Sequence, residues 1–369
     1  MTYNSYFWNP KKGNYQIMQK SVLVAISGGL DSSMTALLLK QKGYNVTGIH
    51  FKLYQRGEDL SHHKEVEEIC KQLEIPVVTH DLEENFKETV IRYFINEYSL
   101  GRTPCPCSFC NVHIKWKYLF DFAQKHNFDF IATGHYVRVL QSDSIWYIQR
   151  GIDKAKDQSY FLWNLTQNQI AKTLTPLGDY TKIEIRQIAK ENGFAALASK
   201  PESMGVCFLQ GEDYRKFLEN SIKQYEPTQG DIVNENNIVI GKHSGVHNFT
   251  IGQKRGVGDL PRGFCVTKIL AHKNKLVVGP WDSLFYNTLK LNSCNVNGLA
   301  PGTYDELEVM IRGFGKNPQG KCSLTLDAEN NAIIRLSNPA WAPMPGQPTV
   351  IYKNELLIGG GYLYEAQNT

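Results

Sequence analysis

No stretch of this 369-residue chain approaches the roughly 20 consecutive apolar residues that a membrane-spanning helix requires. A helical membrane protein is therefore excluded. The N-terminal segment holds Lys11, Lys12 and Lys20 but no apolar block, so it does not read as a secretory signal and the expected location is cytoplasmic. Net charge is scarce: 40 Lys and Arg against 36 Asp and Glu leave +4, which permits a polyanionic partner without demanding one. Internal repeats and low-complexity tracts are lacking. So are both common phosphate fingerprints, the Walker loop ending in Gly-Lys-Ser/Thr and the Gly-x-Gly-x-x-Gly dinucleotide turn. What remains is a globular composition, 42% apolar and 21% charged, long enough for two or three domains with cores that need no disulfides.

Hydrophobic patterning divides the chain. Val22 to Ile26, Val46 to Phe51, Val77 to Val78 and Phe130 to Ala132 read as strands. Between them Met34, Leu37 and Leu38, then Val66, Ile69 and Leu73, then Phe86, Val90 and Phe94, recur at helical spacing. Such alternation predicts a parallel, doubly wound α/β sheet. From Gly230 onward, short apolar runs separated by Gly, Pro and Asn predict antiparallel β structure. The expected boundaries fall near 210 and 275.

Ser27-Gly28-Gly29-Leu30-Asp31-Ser32 stands where the first strand passes to a helix N-terminus. Glycines let a backbone approach an anion, and the free N–H groups and helix dipole favour phosphate. Asp31 would repel phosphate unless a magnesium ion lay between them, which points to Mg2+ and a nucleotide. The bland alternative is a tight turn capped by Ser or Asp. The hexapeptide resembles the Ser-Gly-Gly-x-Asp-Ser signature of the PP-loop ATP pyrophosphatases, which activate a carbonyl oxygen by adenylation.

Eight cysteines are the least ordinary feature. Cys105, Cys107 and Cys110 crowd one proline-punctuated loop before a helix expected to start near Val112. A thiol at a helix N-terminus flanked by Arg102, Lys115 and Lys117 should have a lowered pKa. Cys207 stands alone in a Gly-flanked segment. Activated thiols together with an ATP loop suggest sulfur transfer. Cys70, Cys265, Cys294 and Cys322 sit in apolar surroundings and read as buried, inert thiols.

The motifs Ala132-Thr133-Gly134-His135-Tyr136, Lys156-Asp157-Gln158-Ser159-Tyr160-Phe161-Leu162, Gly205-Val206-Cys207-Phe208, Thr250-Ile251-Gly252-Gln253-Lys254-Arg255-Gly256 and Pro345-Gly346-Gln347 follow in order. With the glycine loop, they make the chain resemble the bacterial tRNA-specific 2-thiouridylases from Ser21 to Tyr364. The resemblance implies a PP-loop catalytic domain over 21–210 behind an N-terminal extension over 1–20, a small β-rich tRNA-gripping domain over 211–275 and a C-terminal β-barrel over 276–369. It implies ATP-dependent 2-thiolation of the wobble uridine in tRNAs for Lys, Glu and Gln, with sulfur from a cysteine desulfurase or a relay protein. Cys207 would carry a persulfide, and Cys110 would be its partner and could form a disulfide with it. Ala25, Ile26, Ser27, Gly28, Gly29, Leu30, Asp31, Ser32, Phe51 and Gly134 would contact ATP, with Phe51 standing where the family usually has methionine. His135, Lys156, Asp157, Gln158, Arg312, Gly313 and Gln347 would contact tRNA, and Cys105, Pro106 and Cys107 would lie against the target base.

One departure stands out. The usual family loop reads Pro-Asn-Pro-Asp-x-x-Cys-Asn, and here Cys105 replaces the Asn and Cys107 the Asp. Cys107, Cys110 and Cys207 are similar to the ligand set of iron-sulfur tRNA thiolases, in which three thiolates hold a [4Fe-4S] cluster with one iron open. A persulfide route, a cluster route acting at this or another tRNA position, and a structural zinc all remain open at this point, as does a non-catalytic tRNA-binding protein. Lys242, His243, His247, Lys254, Arg255 and Arg262 form a basic, Gly-rich stretch expected to contact RNA phosphate.

Overall fold

The computed structural model describes residues 6–9, 14–17, 19–54, 61–201, 205–221 and 229–368. Half of the extension expected over 1–20 lies outside them; within the other half, Tyr6–Asn9 and Asn14–Ile17 pair as antiparallel strands.

Val22, Leu23 and Val24 are wholly buried, as the strand Ser21–Ala25 must be if helices cover both faces of a parallel sheet. It lies at the centre of five parallel strands in the spatial order Val77–Asp81, Asn45–Lys52, Ser21–Ala25, Phe130–Ala132 and Thr173–Leu174. The chain leaves Ser21–Ala25 toward one edge and returns at Phe130–Ala132 to build the other. The strand order therefore reverses between these two neighbours, which opens a crevice beyond their carboxyl ends. The glycine loop follows one of these ends and Thr133-Gly134-His135 follows the other.

A second sheet holds four strands in the order Val239–His243, Gly230–Val233, Lys275–Pro280 and Phe264–Leu270. The last six strands, Phe285–Val296, Gly302–Met310, Cys322–Leu326, Ala332–Trp341, Pro348–Lys353 and Leu356–Gln367, close into a barrel because Phe285–Val296 pairs with both Ala332–Trp341 and Leu356–Gln367. Alternating burial along Cys322–Leu326 fills its interior with Cys322, Leu324 and Leu326.

The sequence pattern did not show one junction. Val137–Ser142 and Ile145–Arg150 form a hairpin whose second strand adds to the barrel through Leu356 opposite Gln149 and Leu357 opposite Ile148. One core then runs through both regions, with Trp163, Tyr160 and Ile148 packed with Val350, Tyr352 and Leu357. The barrel is thereby held against the α/β region that carries the cysteine loop.

Candidate active site

Beyond the carboxyl ends of the two central strands lies a cavity of about 430 Å³. Ala25, Ile26, Ser27, Asp31, Ser32, Phe51 and Gly134 from the expected nucleotide set line it, with His135, Gln158, Lys115 and Cys207. Residues from opposite ends of the α/β region thus meet in one space. Gly28, Gly29 and Leu30 are not part of the lining; the two glycines make the turn and Leu30 opens the helix that follows.

The loop geometry follows from its composition. Gly28 has φ +74°, a left-handed conformation that a side chain disfavours. Gly29 occupies the N-cap of the helix Leu30–Gln41, and no side chain caps that end, so the capped-turn alternative does not describe it. Ser32 Oγ accepts from Ser27 N–H at 3.1 Å and donates to Gly29 O at 3.1 Å, fixing the loop in shape. The first-turn amides retain their affinity for an anion. Gly134 closes the opposite wall: a Cβ there would stand 2.9 Å from the Asp31 carbonyl carbon and 3.0 Å from Ser32 N.

Asp31 is held differently from the sequence-based expectation. Lys182 Nζ donates to Oδ1 at 2.7 Å and Oδ2 at 2.9 Å, and the Tyr136 hydroxyl donates to Oδ1 at 2.9 Å. Lys182 is buried and also sits 5.5 Å from the Tyr136 ring centroid. The counter-charge that Asp31 needs is therefore an ammonium from the chain itself, and its carboxylate gives no separate reason for a magnesium ion. Lys182 was missed in the sequence because Thr181 and Glu184, which form a capping box, explain it as an ordinary first helical residue.

The cysteine loop also differs from expectation. Helix begins at Pro106 and continues through a π-helical stretch, Asn111–Trp116, into Lys117–Lys125. Cys110 therefore lies a full turn inside, beyond much of the N-terminal dipole effect. Arg102 forms a forked ion pair with Glu97, and Lys117 pairs with Asp121 at 3.0 Å. Of the three expected cations, only Lys115 lowers the thiol pKa values, and burial outweighs it. Cys110 is pushed up to about 12 and Cys107 is also raised, both by burial first. Cys105, wholly packed in the shared core, is likewise pushed up to about 12 by burial. The expected activated thiolate is corrected to a protonated thiol in the resting protein.

Cys207 is exposed and opens on the nucleotide cavity. A negative charge on it raises the pKa of both Cys107 and Cys110. All eight cysteines are free; the Cys110–Cys207 disulfide is not formed. Among the described residues, no three of His, Cys, Asp and Glu converge as metal ligands. Cys107, Cys110 and Cys207 as arranged do not fit a [4Fe-4S] cluster, nor do the thiols fit a zinc ion. The four remaining cysteines are buried, and burial pushes Cys70 to about 11 and Cys294 and Cys322 to about 12.

The expected tRNA residues separate into distinct roles. His135 Nδ1 lies 2.9 Å from Thr133 Oγ1, and burial, helped by Lys115, pushes its pKa down to about 3. It enters the cavity as a neutral imidazole. Gln158 Oε1 accepts from Tyr136 N–H at 3.0 Å. Asp157 braces its own loop, accepting from Gly151 N–H at 3.2 Å and the Ser159 hydroxyl at 2.7 Å, and Lys156 stands half-buried beside it. Arg312 donates to the carbonyls of Trp341 at 2.8 Å and Ala342 at 2.9 Å. Gln347 donates to Thr103 O at 3.1 Å and Pro104 O at 3.0 Å, and Pro345 O accepts from Thr103 N–H at 2.9 Å. Pro345-Gly346-Gln347 is thus a clasp by which the barrel holds the entrance to the cysteine helix. In the basic stretch, His243 and His247 are buried with lowered pKa values, and Lys242 pairs with Asp231 at 2.6 Å. Only Lys254, Arg255 and Arg262 keep the character expected of phosphate contacts.

Comparison with known proteins agrees along the chain. Residues 20–211 match a tRNA methyl transferase HUP domain, 215–280 a tRNA methyl transferase PRC-barrel domain and 288–363 an aminomethyltransferase beta-barrel domain. The chain is 37% identical over 344 residues to a tRNA-specific 2-thiouridylase of Phocaeicola vulgatus, covering 93% of this chain and 97% of the relative. A tRNA-specific 2-thiouridylase of Geotalea uraniireducens is 37% identical over 366 residues, covering 95% and 96%. That of Amoebophilus asiaticus is 36% identical over 356 residues, covering 93% and 94%. Similarity of this extent, shared by all three regions in the same order, places the chain in the tRNA-specific 2-thiouridylase family.

Proposed function

We propose that the protein is a tRNA-uridine 2-sulfurtransferase that uses ATP to replace the 2-oxygen of the wobble uridine with sulfur, in tRNAs for Lys, Glu and Gln. The observation that carries this reading is the shared cavity, in which an uncapped, glycine-built phosphate loop and the exposed thiol of Cys207 face the same space. The matched models are described by methyl transfer, the curated relatives by thiolation. A thiol beside an anion loop suits the second chemistry.

In this scheme ATP enters as its magnesium complex, with its phosphates on the loop from Ser27 to Ser32. The uridine O2 attacks the α-phosphorus, pyrophosphate leaves and C2 becomes electrophilic. A persulfide on Cys207 attacks C2 through its outer sulfur, and AMP departs with the former O2. Cys110, once deprotonated, attacks the inner sulfur. The S–S bond breaks toward the thiouridine, and a Cys110–Cys207 disulfide forms that an external thiol must reduce. Burial holds Cys110 protonated until that step, which protects it from premature oxidation. Lys115 is placed to stabilise the thiolate when it forms. The persulfide is charged by a cysteine desulfurase or a relay protein, for which the exposure of Cys207 leaves access. Catalysis is assigned to the α/β region, tRNA gripping to the region of the four-stranded sheet, whose last strand ends at Pro280, and bracing of the cysteine loop to the barrel that begins at Phe285. Among the described residues, no helix is long and apolar enough to cross a membrane, and the cytoplasm, where tRNA is modified, is the proposed location.

The test is reconstitution with tRNA, Mg-ATP, a cysteine desulfurase and cysteine, read by mass spectrometry of the nucleosides. Cys207→Ser should abolish 2-thiouridine while leaving tRNA-dependent pyrophosphate release. Methylated uridine in place of 2-thiouridine, or undiminished thiolation by the variant, would refute the reading.

A further inference from the structure

Beyond the strand Gly302–Met310, the chain makes a short, braced loop. Asn317 Oδ1 accepts from the N–H groups of Ile311 at 2.8 Å and Arg312 at 3.1 Å, and its Nδ2 donates to Arg312 O at 3.1 Å. Arg312 is anchored to the barrel through the Trp341 and Ala342 carbonyls. Gly313 presses on the aromatic floor so closely that a Cβ would come within 2.6 Å of Phe161 Cζ, and Gly315 turns the chain at φ +99°.

This scaffold displays Phe314, which is 83% exposed. Its ring lies 5.7 Å from that of Phe161, so one aromatic ring is backed by another. Phe161 reaches the catalytic helix: its carbonyl accepts from Asn111 Nδ2 at 3.1 Å, and Asn111 follows Cys110. Lys316 is exposed beside Phe314, and no acidic residue stands between Arg312 and Lys321. These bonds fix the base of the loop that carries the exposed ring. An exposed aromatic face with a neighbouring cation is the chemistry that receives an unpaired nucleic-acid base.

We propose that Phe314 is a stacking platform for an unpaired base next to the target uridine, an inference that rests on the tRNA reading above. Stacking there would hold the anticodon loop splayed while the target nucleotide enters the cavity. Arg312, the expected tRNA contact, acts by positioning this loop.

The test uses the full-length protein and anticodon stem-loop RNAs carrying 2-aminopurine on either side of the target uridine. With wild type, fluorescence at one of the two positions should fall on binding. Phe314→Ala and Phe314→Leu should lose that quench and bind roughly 5- to 100-fold more weakly, with the salt dependence and the melting temperature unchanged. Phe314→Trp should restore both signals. Wild-type quench and affinity in the Ala variant would overturn the proposal, and the same in the Leu variant would reduce the site to plain apolar contact. A Phe314→Ala defect seen only when sulfur comes from a carrier protein, not from inorganic sulfide, would make it a protein-docking residue and also overturn the proposal. Wild-type protein that thiolated tRNA without quenching either probe would sink the stacking inference alone. Failure of the wild type to bind or thiolate tRNA would sink the tRNA reading and this inference with it.

Discussion

Replacing Gln347 with methionine preserves length and volume but removes its amide. Two bonds are lost, to Thr103 O at 3.1 Å and Pro104 O at 3.0 Å. The longer contact from the Tyr160 hydroxyl at 3.3 Å goes too, although that hydroxyl keeps Pro348 O at 2.8 Å. At about 0.5–1.5 kcal/mol net for each amide bond, the clasp loses about 1–3 kcal/mol. The contact between barrel and cysteine loop is local, so this falls on the alignment of the Pro106 helix start rather than on the whole fold. If the aligned loop is the reacting form, single-turnover thiolation should slow roughly 5- to 150-fold. Binding of tRNA, measured by filter retention over a range of salt, should keep its affinity and slope, because no phosphate contact is removed. The opposite result, unchanged single-turnover rate with weakened and less salt-sensitive binding, would mean that Gln347 touches RNA directly and would refute the clasp.

Lys182→Met should raise the KM for ATP at least about tenfold, because Asp31 then faces the triphosphate without its counter-charge. The carboxylate is 37% exposed, so water screens part of the loss, and stability should fall by only about 1–3 kcal/mol; an unaltered ATP KM would remove Lys182 from the site. Alkylation of Cys110, followed by peptide mass spectrometry, should accelerate about tenfold per pH unit across the neutral and mildly alkaline range, since burial pushes its pKa up to about 12; a plateau near neutral pH would contradict this. The same upward shifts in Cys105, Cys294 and Cys322 are stabilising below the unfolded thiol pKa of about 8.5. That stability should be lost as pH rises toward 12. The lowered pKa of His135 acts at the other end, its contribution falling as pH drops below about 6.5 and the unfolded imidazole takes up a proton.

Local signals carried much of this protein. The alternation of buried strands with amphipathic helices foretold the parallel sheet, and Gly28-Gly29 before a helix foretold the left-handed turn and the uncapped helix end, because those features depend on residues adjacent in sequence. What sequence could not show depends on distant partners. Gln149 and Leu356 pair across the two regions although nothing in either marks the other. Lys182 approaches Asp31 only after the helix Lys182–Glu191 packs beside the first one. Arg102 near the thiols suggested activation, but Glu97 competes for it at closer range. Burial, a property of the assembled core, reversed the expected shift of Cys110.

The thiols show why that reversal matters to mechanism. A low-pKa pair would place two thiolates together, where oxidation is rapid and mutual repulsion is unfavourable. Here one thiol is exposed at the nucleotide cavity, and burial raises the pKa of Cys107 and Cys110, an effect that any charge on Cys207 would reinforce. Cys207 is the most exposed of the three, so under the proposed mechanism a sulfur donor would load it first. In the proposed exchange Lys115 favours the Cys110 thiolate, whose charge passes to the departing thiouridine sulfur as the new disulfide forms. Replacement of the usual aspartate by Cys107 fits this order. An aspartate beside Cys110 would be a permanent anion, whereas the half-buried Cys107 thiol adds no charge until it loses its proton.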